Sequence, residues 1–149
     1  MNEKQNNRSG KAVKHFMKSM NCSQAVLETF ASSLGIEVKT ARRIAAAFAG
    51  GMGRGSECGA VTGALMVIGM RYGKTKSKDP KADEKTFAKA AEFIKEFKAR
   101  HIQVRCSALL GTNMGTPEGI SKAEQMGYFI SRCPNYVSSS VEILDKLLD

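Results

Sequence analysis

Four cysteines, Cys22, Cys58, Cys106 and Cys133, are the side chains of this chain best suited to chemistry. Their spacing includes no Cys-x-x-Cys, so neither a thioredoxin-type motif nor a zinc ribbon is signalled. On spacing alone, four buried structural thiols would be favoured. Local context points elsewhere. Cys22 follows Asn21, which can cap a helix with Gln24 in capping-box position. Cys58 opens an apolar run, and Cys133 precedes Pro134 and could itself be an N-cap. Three of the four thus fall at expected helix N-termini, where the dipole and free N–H groups favour a thiolate. The thiolate is the form that attacks disulfides or binds a soft metal.

Immediately before Cys58 lies Gly50-Gly51-Met52-Gly53-Arg54-Gly55-Ser56-Glu57. Its glycines permit positive φ and close backbone approach. The loop lacks the Gly-Lys-Ser/Thr ending of a P-loop and fails the GxGxxG spacing. Gly51, Gly53, Arg54 and Gly55, with Gly59 and Gly63 beyond, could hold a small anion or ligand at the following helix N-terminus; a tight helix-to-helix connection is the plainer reading. Glu57 takes no firm role beside Cys58. His15 and His101 neighbour no cysteine and read as surface or core-edge residues.

The elements that must position these residues read as helices. Lys11 to Met20 is a short amphipathic segment with Val13, Phe16, Met17 and Met20 on one side. A helix from Asn21 ends by Gly35, and Thr40 to Ala49 forms a third. Residues 58–72 are apolar or small almost throughout and too few to span a bilayer, so they read as a buried central helix. Asp83 to about Ile102 is the longest amphipathic helix, with Phe87, Ala90, Ala91, Ile94 and Phe97 inward. Cys106 to Leu110 is a short turn or helix closed by Gly111. Ser121 with Glu124 marks a capping box ahead of Ala123, Met126, Gly127, Ile130 and Cys133. The last helix starts at Pro134 and carries Val137, Val141, Leu144 and Leu148 on one face. The expected fold is all-α: a single domain over 1–149, about seven helices around 58–72, with 1–10 as a flexible polar tail.

The chain has 149 residues and a net charge of +9, from 23 basic and 14 acidic residues. Basic side chains concentrate in 1–20 and 71–105 without the interleaved aromatics of an RNA-binding platform. A solvated lysine-rich face is favoured over nucleic-acid binding. No run reaches the ~18–20 apolar residues of a membrane span, and no signal-peptide core is visible. The default compartment is the reducing cytoplasm, where cysteines more often do redox or metal chemistry than hold folds together.

The order Cys22, then Cys58-Gly59-Ala60-Val61-Thr62-Gly63, then Cys106, then Cys133 resembles the C_GCAxxG_C_C family of redox-active proteins. Asn21-Cys22-Ser23-Gln24-Ala25-Val26, the Gly-Gly-Met-Gly-Arg loop at 50–54 and Cys106-Ser107-Ala108-Leu109-Leu110-Gly111 match as well, so the resemblance runs from about residue 15 to 140. It implies a prokaryotic cytoplasmic protein with four signature cysteines.

Three functions compete. In the first, the four cysteines converge and cycle between dithiol and disulfide, with an unidentified redox partner or small anionic ligand. Cys58 is then the expected nucleophile, with a pKa below the free value of about 8.5, and Cys22 the resolving partner. In the second, the same four residues bind zinc or an iron–sulfur cluster. In the third, the chain is a helical interaction protein with inert core cysteines. The first requires at least one pair including Cys58 within disulfide reach, with the loop 50–56 beside it.

Overall fold

The structure, a computed structural model, describes residues 3–148. It is all-α. The helices are α1 (Glu3–Ser19), α2 (Cys22–Phe30), α3 (Val38–Ala45), α4 (Gly59–Tyr72), α5 (Pro80–His101), α6 (Cys106–Leu110), α7 (Pro117–Gln125), α8 (Tyr128–Ser131) and α9 (Cys133–Leu147). Among the described residues there is no strand, only one isolated antiparallel bridge between Glu57 and Arg105.

Helix α4 is the expected central element. It packs against α2, α5 and α9, and α1 lies across α9 and α2. Phe30, Phe93 and Phe97 are the largest fully buried side chains. Bare backbone sets the closest of these approaches. A Cβ on Gly63 would lie 2.8 Å from the Ser23 carbonyl oxygen and 3.2 Å from Ser23 Cα. Ser23 is itself wholly buried, and its hydroxyl donates to the Ala45 carbonyl at 2.7 Å. The buried carboxylate of Glu28 joins three helices, pairing with Arg42 and, at 3.3 Å, with His15 Nδ1.

Several boundaries differ from expectation. Where a flexible tail was expected over 1–10, the described residues 3–10 are helical, because α1 starts at Glu3. Arg8 anchors it to Asp145 on α9 at 2.6 Å, and Ser9 is buried. On α1, Phe16 is buried as expected, whereas Met17, and Met20 just beyond the helix end, are 45% exposed. Helix α5 starts at Pro80, because Asp79 caps it by accepting from Ala82 N–H. Phe87, expected inward, is 72% exposed. The buried face is set by Phe93 and Phe97; at ~100° per residue, Phe87 falls about 120° away from Phe93.

The helix expected behind Ser121 starts earlier, because Thr116 caps it through Gly119 N–H and Pro117 takes its first position. Ser121 is interior to α7 and accepts from Gln125 instead. Gly127, at φ 71°, then breaks the run into α7 and α8, which leaves Met126 and Ile130 exposed.

The close α2–α4 contact separates two glycines of one helix. Gly63→Ala should destabilise by roughly 1–3 kcal/mol, since backbone on α2 cannot give way cheaply. Gly69→Ala, with nothing within 4 Å of its Cβ, should stabilise by about 0.5–1 kcal/mol. Urea unfolding of both variants measures the contrast.

Candidate functional site

Each of the four cysteines stands at the start of a helix. Cys22 is the first residue of α2, behind Asn21, whose side chain accepts from Gln24 N–H at 3.0 Å. Cys58 is the residue capping α4, at φ −53° and ψ 135°. Cys106 begins α6. Cys133, expected as an N-cap, is instead the first residue of α9, because Arg132 occupies the cap position.

Two backbone hydrogen bonds hold Cys58 and Cys106 side by side. Cys58 N–H donates to the Val104 carbonyl at 2.8 Å, and Cys106 N–H donates to the Ser56 carbonyl at 2.6 Å. The chain reaches this bridge from α5 through a tight turn at Ile102, whose φ of 71° is costly for a β-branched residue. Gln103 N–H donates to the His101 carbonyl across that turn at 2.8 Å.

The glycine loop is a left-handed turn. Gly50, Gly51, Met52 and Gly53 have φ of 65°, 64°, 61° and 68°, and Ser56 N–H donates to the Gly51 carbonyl at 2.9 Å. Only Met52 in that run carries the steric cost of this region, ~1–2 kcal/mol. A Cβ on Gly51 would lie 2.9 Å from Cys106 Cβ, and one on Gly55 would collide with Ser107 Oγ. Gly51 and Gly55 are therefore packing positions, whereas Arg54 is exposed. Gly59 faces Cys22 so closely that a Cβ there would collide with the Cys22 sulfur, and Gly63, one turn on, faces Ser23.

The sulfur of Cys22 collects hydrogen bonds. Donation from the Cys58 thiol is the largest influence lowering its pKa; burial opposes it, and the amides of Gly50, Ser23 and Cys22 itself reinforce it, giving about 7. Cys58, expected to carry the lowered pKa, is shifted the other way. Its hydrogen bond to Cys22, then burial, then the negative charge on Cys22 push its thiol well above the ordinary range. Burial, helped by the charge on Cys22, raises Cys106 to about 11. Cys133 reaches about 12 by burial, with the charges of Cys22 and Cys106 adding. Cys22 is thus the thiol poised to ionise near neutral pH, beside three that burial and its charge hold neutral.

All four cysteines are free and line one cavity of about 320 Å³. Gly50 and Gly53 form part of its wall, and the rest is mainly apolar, including Phe16, Leu110, Met114, Ile120, Phe129 and Tyr136. Neither histidine lines it: His15 is held by Glu28, and His101 packs on Phe97 and Tyr136. Among the described residues, no three His, Cys, Asp or Glu side chains form a group that could hold a metal ion.

Sequence reasoning missed Tyr136 and the amides of Gly50 and Ser23. Tyr136 follows Cys133 by three residues on one helix face, a signal that could have placed it there. Its hydroxyl donates to the Leu109 carbonyl at 3.0 Å.

A family model with the description Putative redox-active protein (C_GCAxxG_C_C) matches residues 20–147. No curated protein and no solved structure matches the chain.

The hydrogen bond from Cys58 predicts how Cys22 titrates. Rate of alkylation against pH should give Cys22 a midpoint near 7. In Cys58→Ala the thiolate loses its strongest donor, so the midpoint should rise by about 1–2 pH units. An unchanged midpoint would show that the amides alone hold the charge.

Proposed function

We propose, since the chain belongs to the C_GCAxxG_C_C family and its four thiols share one cavity, that it performs thiol–disulfide exchange with Cys22 as nucleophile and Cys58 as resolving thiol. The observation that carries this reading is the hydrogen bond from the Cys58 thiol to a half-buried Cys22 whose pKa lies about 7. A nucleophilic thiol works best when its pKa lies near ambient pH. The roles are thus the reverse of those expected from the glycine loop alone.

The Cys22 thiolate attacks one sulfur of a substrate disulfide. A mixed disulfide forms at Cys22, the substrate S–S bond breaks, and one half leaves as a thiolate. Cys22 is then no longer negative, so the hydrogen bond and the charge that held Cys58 protonated are gone. Cys58 gives its proton to the departing thiolate and attacks Cys22 Sγ, expelling the second half as a thiolate. Two protein thiols are oxidised to one disulfide, and one substrate disulfide is reduced to two thiols. The zinc or iron–sulfur reading has less support, because no group of three candidate ligands exists among the described residues.

Thiol counting tests the reading. The reduced protein should lose two of its four free thiols to a mild disulfide oxidant, and peptide mapping should find Cys22 joined to Cys58. Cys22→Ser should abolish that bond, and Cys58→Ser should stop at a mixed disulfide on Cys22. Retention of all four thiols, or a bond confined to Cys106 and Cys133, would sink it.

A further inference from the structure

The cavity says what kind of disulfide reaches Cys22. Among the described residues lining it there is no Lys, Arg, His, Asp or Glu, so the one charge it holds near neutral pH is the negative one on Cys22. The nearby cation Arg132 is already engaged, stacked 3.8 Å from the Tyr128 ring centroid and donating to the Leu109 and Leu110 carbonyls at 3.4 and 3.3 Å. The Tyr136 hydroxyl is likewise committed to Leu109. A carboxylate entering this space would lose its water and gain no cationic partner, which is costly. An apolar ring or alkyl group would gain burial against Leu110, Met114 and Phe129. At about 320 Å³, the space is at the small end of the ~300–1,000 Å³ typical of ligand pockets.

We infer that this cavity is the substrate site and that it takes a small, uncharged, apolar or aromatic disulfide in preference to an anionic one. The inference rests on the thiol-exchange reading above, with the same balance of bonds and electrons: the apolar disulfide is the oxidant, and Cys22 and Cys58 are the thiols oxidised. It runs against the protein's net charge of +9, which by long-range attraction alone would favour anionic disulfides. The two influences therefore predict opposite orders of reactivity.

The experiment compares two aromatic probes, neutral dipyridyl disulfide and dianionic bis(carboxynitrophenyl) disulfide. Each rate with the reduced full chain is divided by the same probe's rate with N-acetylcysteine amide, a neutral free thiol. The neutral probe should be favoured by about tenfold or more; equal ratios, or preference for the dianion, overturn the inference. Ile120→Glu on α7 and, from the turn between α1 and α2, Met20→Glu each place a carboxylate at a partly exposed position of the wall. Either should slow the neutral probe by about fivefold or more, and unchanged rates in both overturn the cavity as the site. Thiol counting and mapping of the Cys22–Cys58 bond separate the two levels. If that bond forms without neutral preference, only the substrate class falls; if it never forms, the reading beneath falls too.

Discussion

There is no room for a β-carbon at residue 59. The volume that one would fill belongs to the sulfur of Cys22, and the Ser23 amide and Ala49 Cα lie only 3.1 and 3.2 Å from where it would be. One turn along α4, Gly63 is closed off in the same way by the Ser23 carbonyl. These two bare positions fix how near α2 comes to α4. That separation brings Cys22 against Cys58, seats Ser23 where its hydroxyl reaches α3, and leaves the left-handed turn at 50–53 beside the sulfur. The thiol cavity is a consequence of side chains withheld.

Helix position alone does not decide which thiol ionises. All four cysteines begin helices, yet only one has a lowered pKa. Cys22 differs in having donors aimed at its sulfur: the Cys58 thiol and the amides of Gly50, Ser23 and Cys22. At Cys106 and Cys133 burial dominates, and the charge already present on Cys22 opposes a second one. Like charges gathered in a low-dielectric space raise one another's pKa values. The cluster is therefore asymmetric because one member received the hydrogen bonds first, in the energetic sense.

What could be read from the chain was largely what is local. The Asn21 cap, the closure of α6 by Gly111 and the apolar run of α4 depend on neighbours a few residues apart, and all three are in the structure. Convergence of the cysteines was legible from the small residues around them. Signals failed where two local rules competed. Ser121–Glu124 satisfied a capping box, but Thr116–Pro117 offered an earlier start and Gly127 an exit. Phe87 shared a plausible stripe with Phe97, yet the bundle met α5 on the face that carries Phe93. The pKa order was illegible because it depends on which cysteine donates to which, and that is settled only where two helices meet. The cavity wall was hidden for the same reason: Met114, Ile120 and Phe129 come from separate segments that share no sequence pattern.

The donors around Cys22 also bear on the energy of electron transfer. In the reduced protein, the amides of Gly50 and Ser23 and the Cys58 thiol all have a charged acceptor, and hydrogen bonds to charged groups are worth more than ordinary ones. Under the proposed chemistry, closing the Cys22–Cys58 bond removes that charge and leaves the same amides facing a neutral, weakly accepting sulfur in an apolar recess. Every donor that steadies the thiolate therefore penalises the disulfide. A disulfide disfavoured in this way has a raised reduction potential, so the hydrogen bonds that make Cys22 reactive also tilt the pair toward giving up its oxidised state.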